Sequence, residues 1–116
     1  MKAFPGKEGN MMPSSREYLD FVLEQLSVAE GVAWKQMMGE YLLYLNGKLI
    51  GGVYDNRLLV KPTKGAQALM PDAAYELPYP GAKPMLLVED MENRDLLSAL
   101  CRVLYDELPE TKKKSK

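Results

Sequence analysis

The sequence predicts an α+β fold: a two-layer domain with an antiparallel sheet and helices on one face. Three observations carry this. A stretch at 37–61 holds two hairpin dipeptides between three short apolar segments. Apolar stripes at helical spacing stand on either side of it, at 19–26 and 96–108. The chain has 116 residues, 47% hydrophobic and 27% charged, which suits one ordinary globular core. The expected order is α-β-β-β-α-β-β-α.

Residues 1–13 contain two glycines, two prolines and no period, and read as a flexible leader. Met11 and Met12 are alternative starts. A single domain is expected over 14–109. Ser14 and Glu17 have capping-box spacing, each able to satisfy an orphan backbone N–H. Leu19, Val22, Leu23 and Leu26 then form the buried stripe of a helix ending near 27–31. Residues 32–36 read as a short extended lead-in, with Trp34 packing in the core or at an edge.

The central stretch is a three-stranded meander over 41–45, 48–54 and 57–61. Asn46-Gly47 suits a type I′ turn, whose two central residues need φ > 0. Asp55-Asn56 tolerates the same region. Two-residue loops set Leu43 opposite Ile50, and Gly52 opposite both Tyr41 and Leu59. Alternation then assigns Leu42, Tyr44, Leu49, Gly51, Val53, Leu58 and Val60 to an uncharged core face. The opposite face mixes aromatic, aliphatic and basic groups and is expected to stay open.

Pro62 ends the meander, and Thr63 caps a short helix reaching Met70. Residues 75–77 form a short strand, and Pro80-Gly81 marks a turn. Residues 85–88 form a compact strand, with Pro84 suggesting an edge position. Glu92 or Asn93 caps the last helix, which buries Leu96, Leu97, Leu100, Cys101, Leu104 and Leu108 and stops at Pro109. Residues 110–116 are expected to be a disordered basic tail.

Charge and composition narrow the function. Net charge is −1, and becomes −5 once Lys112, Lys113, Lys114 and Lys116 of the tail are set aside. A basic tail on an acidic body points to a solvated end rather than a nucleic-acid footprint. There is no histidine, so no Ser-His-Asp or Cys-His arrangement can form within the chain. One cysteine, Cys101, allows no internal disulfide and reads as a small buried hydrophobe. Glu89, Asp90, Glu92 and Asp95 cluster where a helix N-terminus already favours carboxylates, and match no calcium loop. No apolar run approaches about 18 residues, and the first residues lack a signal peptide's apolar core. A cytoplasmic protein is expected, with no membrane, metal or cofactor.

Gly51-Gly52 lies inside a strand, so it is not a phosphate loop; it marks a bulge or a close approach of another backbone. Met37-Met38-Gly39 offers adaptable apolar surface or core filling.

Met37-(Met38)-Gly39-Glu40-Tyr41, Leu43-Tyr44, Asn46-Gly47, Ile50-Gly51, Leu58 and Val60-Lys61-Pro62 occur in an ordered run. That run resembles the N-terminal domain of the TfoX/Sxy family, over about residues 15–108. The resemblance implies the same α-β-β-β-α-β-β-α order. It also implies a link to bacterial competence regulation, where full-length members are transcriptional co-regulators with no known enzymatic activity. The chain is expected to hold the first domain alone. No catalytic residues carry over.

The expected function is a non-enzymatic regulatory or protein-interaction module, with a second copy among its partners (a homodimer). Its candidate contact surface comprises Met38, Gly39, Tyr41, Leu43, Lys48, Ile50, Gly52, Tyr54, Arg57, Leu59 and Lys61. Two alternative readings use the same face. Lys48, Arg57 and Lys61 with Tyr41 and Tyr54 suggest a platform for nucleic acid. A notch at Gly52 between Tyr41, Leu43, Tyr54 and Leu59 suggests a small-ligand site.

Overall fold

The computed structural model describes residues 15–109. The leader and the basic tail, expected at either end, lie outside the described residues, as does Ser14.

Among the described residues the fold is α+β, a six-stranded antiparallel sheet with three α-helices. Helix α1 spans Arg16–Gln25 and continues into a 3₁₀ turn, Leu26–Val28. Its cap is Ser15, whose Oγ accepts the Tyr18 N–H at 3.0 Å. The cap thus sits one residue later than the expected Ser14. Leu19, Val22 and Leu26 are buried, as their spacing predicts. Gln25 is buried too. Its Nε2 donates to the Met91 carbonyl at 2.8 Å and its Oε1 accepts from Arg94 at 3.1 Å. A buried amide satisfied on both ends ties α1 to the last helix.

The expected lead-in is a full strand, β1, Val32–Met37. It pairs with β2, Glu40–Leu45, through a two-residue turn at Met38-Gly39. Met38 (φ 54°) and Gly39 (φ 85°) both take positive φ, as a type I′ turn requires. The same geometry recurs at Asn46-Gly47, leading to β3, Lys48–Val53, and at Asp55-Asn56, leading to β4, Leu58–Val60. The meander therefore has four strands. After it, Thr63 caps α2, Lys64–Leu69. Strands β5, Tyr75–Glu76, and β6, Met85–Val88, follow, and α3, Arg94–Glu107, is capped by Asn93.

The strand order is β1-β2-β3-β4-β6-β5. Strand β6 is therefore flanked on both sides, not an edge. Pro84 lies just before it and removes no ladder donor.

The central register differs from expectation, and the difference decides which face is which. Tyr44 pairs with Leu49, but Leu43 pairs with Gly51 and Tyr41 with Val53. Ile50 is the extra residue of a β-bulge. Gly51 makes this close packing feasible, since a Cβ there would lie 2.1 Å from the Leu59 carbonyl oxygen. One inserted residue exchanges the faces on either side of it. Val53, Leu58 and Val60 point into the core as expected. Leu42, Tyr44 and Leu49, expected with them, lie instead on the far side. Tyr41, Leu43, Leu45 and Ile50, expected on the open face, join the helices in one core with Leu19, Val22, Leu97, Leu100 and Leu104.

Candidate interaction surface

The structure disperses the residues predicted to form a contact face. Tyr41 is 6% exposed, Leu43 0% and Ile50 1%. They are core residues, because the bulge turns this part of the meander towards the helices. The Trp34 ring meets Tyr41 edge-on at 5.6 Å, and Arg16 lies 4.8 Å from the Trp34 centroid on the same side.

Lys48 also turns towards the helices. Its Nζ donates to the Tyr105 carbonyl at 2.7 Å and lies 4.1 Å from that residue's ring centroid. A cation at the last turn of α3 complements the partial negative charge of the helix end. Arg57 forms an ion pair with Glu76, and its Nε donates to the Tyr54 carbonyl at 3.1 Å. Lys48 and Arg57 are thus engaged within the molecule, on opposite sides of the sheet. The three cations do not form the platform a nucleic acid would track.

Gly52 and Leu59 do lie on the helix-free side, each opposite the other. The expected notch is filled. The Tyr54 ring folds back over Gly52 so that a Cβ there would meet Cε2 at 2.8 Å. Leu59 is wholly buried. Burial chiefly, with Tyr79, Glu40 and Tyr44 adding, raises the Tyr54 phenol above its ordinary pKa. Lys61 lines a groove beside Tyr54. Met38 stands 95% exposed at the tip of the first hairpin, with Gly39 supplying the turn.

The side of the sheet away from the helices carries a different set. Leu42, Tyr44, Leu49 and Leu87 sit there, each half-buried. None belongs to the core cluster or packs against it. Lys35 lies opposite Leu42, and Glu40 opposite Met37, on this same side. Of these, Leu42, Tyr44 and Leu49 are expected on the core face from alternation alone. The signal that could have found them was Gly51-Gly52, whose bulge reverses the assignment.

The single cysteine offers no exposed thiolate. Cys101 is buried, and burial pushes its thiol up to about 11. At neutral pH it is the protonated, inert form. Among the described residues no three His, Cys, Asp or Glu side chains converge as a metal site would need. No helix of the described residues is long and apolar enough to cross a membrane.

Fold and surface together define a small α+β domain with helices on one side of its sheet and an apolar, aromatic strip on the other. The chain belongs to the same family as a protein of Spirochaeta aurantia, described as an uncharacterized 12.7 kDa protein in the trpE 5' region. The two are 34% identical over 102 residues, which is 87% of this chain and 89% of the relative. No family model matches the chain, and no solved structure matches it.

Proposed function

We propose that this protein is a non-enzymatic, cytoplasmic regulatory module that works by binding a protein partner through the helix-free face of its sheet. The observation that carries the reading is the strip of Leu42, Tyr44, Leu49 and Leu87 across that face. Contiguous apolar groups left outside a core are characteristic of contact surfaces. The resemblance to the TfoX/Sxy N-terminal domain supports a regulatory use.

A second copy is the first partner to consider. Lys35 and Glu40 stand on the same face as the strip, one cation and one anion. A two-fold axis through the strip sets its apolar residues against their own copies, the isologous contact of a symmetric dimer.

Light scattering on the wild type and on a Leu42→Asp, Tyr44→Asp double variant tests this. The wild type is expected to exceed its 13.1 kDa chain mass and the variant to match it. Circular dichroism verifies that the variant remains folded. A wild type that stays monomeric at high concentration and cross-links to no partner in its own cell counts against the reading.

A further inference from the structure

The helix-free face continues past β4 to a second feature. Between β5 and β6, residues 77–84 run as an irregular loop containing Pro78, Pro80 and Pro84. Each proline fixes its own φ and restricts the residue before it. The Ala82 N–H donates to the Tyr79 carbonyl at 3.1 Å, closing a turn. Arg57 tethers the start of the loop, pairing with Glu76 and donating to the Leu77 carbonyl at 3.4 Å. A loop stiffened and tied in this way is preorganised, so little entropy is lost when something binds to it.

With Tyr54 and Lys61 of the meander, this loop encloses a groove of about 610 Å³. Small-molecule sites run from about 300 to 1,000 Å³. Tyr75 and Tyr79 line it and remain 54% and 55% exposed. Met85 lines it too, a soft contact for a ring. Among the described residues the lining includes two cations, Lys61 and Lys83, and no carboxylate. Among the described residues neither lysine is in an ion pair.

We propose that this groove binds a small anionic aromatic molecule, its ring against Tyr79 and Met85 and its acid group against Lys61 and Lys83. A tyrosine face and a methionine thioether suit a flat apolar body. Two lysines without an acidic counterpart select negative charge over neutral or positive. The proposal rests on the binding-module reading and supplies that module with an effector.

Naphthoate is a suitable probe, with naphthalenemethanol and naphthalenemethylamine as its neutral and cationic counterparts at neutral pH. Binding is followed by methyl NMR of the methionines and by ligand-observed saturation transfer. Naphthoate is expected to shift the Met85 methyl and to bind about tenfold tighter than the alcohol, with the amine weakest. Lys61→Gln with Lys83→Gln is expected to erase that preference while leaving residual ring binding. Tyr79→Ser, at an exposed position, is expected to weaken all three probes.

Equal binding of acid and alcohol overturns the proposal. So do shifts that map to the helices instead of Met85, and so does the absence of any binding at millimolar naphthoate. A monomeric protein that still takes naphthoate in this groove would sink self-association and leave the groove standing, which separates the two readings.

Discussion

The Tyr54 ring lies over Gly52, at a distance that leaves no room for a methyl group. A Cβ on Gly52 would stand 2.8 Å from the ring and 2.7 Å from the Tyr41 carbonyl oxygen. Gly52→Ala is therefore expected to destabilise the protein by about 1–3 kcal/mol, the usual cost of overpacking. Gly51→Ala should cost more, because its close neighbours are backbone atoms of Leu59 and Val60 that cannot rotate away. Urea denaturation of both variants measures the order. A Gly51→Ala protein as stable as the wild type would refute the bulge geometry.

Adjacent leucines on β2 provide a direct test of which face is covered. Leu43 is fully buried among the helices, whereas Leu42 lies on the helix-free side. Leu43→Ala should cost about 2–5 kcal/mol, in the range of cavity-forming core changes. Leu42→Ala should cost clearly less. Thermal melts of the pair would show the reverse if the two-residue-loop register without a bulge were correct.

Lys48 anchors the second hairpin to the end of α3 through the Tyr105 carbonyl and ring. Lys48→Met keeps the apolar stem and removes the charge. A loss of about 1 kcal/mol is expected, since one hydrogen bond and one cation–π contact go. Amide exchange should quicken in the last turn of α3 before it does elsewhere. Uniform exchange across the helix would speak against an anchoring role.

Cys101 sets a limit on stability at high pH. Burial raises its thiol from 9.0 to about 11 in the folded protein. The unfolded chain releases that proton first, so the contribution is complete below about pH 9 and is lost as pH rises towards 11. Cys101→Val should flatten this part of the stability–pH curve. The native thiol should also resist a thiol reagent that labels it promptly in urea. Fast labelling without denaturant would show that the site opens.

Much of the architecture is readable from local chemistry, because its determinants are local. The stripe of Leu19, Val22 and Leu26, the caps at Thr63 and Asn93, and the turn at Asn46-Gly47 each depend on residues within a few positions. Strand β1 has only a weak local signature because its turn is Met38-Gly39. Methionine is an unusual occupant of positive φ, and so its signal was masked.

The open face was not readable, and one residue explains why. Side chains alternate with a period of two, so the single extra residue at Ile50 reverses every assignment across it. Whether Gly51-Gly52 shifts the register depends on how closely β4 approaches, a contact between segments eight residues apart. The groove is of the same kind: Tyr54 and Lys61 meet Tyr79 and Lys83 only because β6 adds beside β4. By itself the sequence determined the fold class, the helices and the hairpins. Tertiary structure alone decided which side of the sheet the helices cover, because bulge, strand order and loop placement are fixed by contacts distant in the chain.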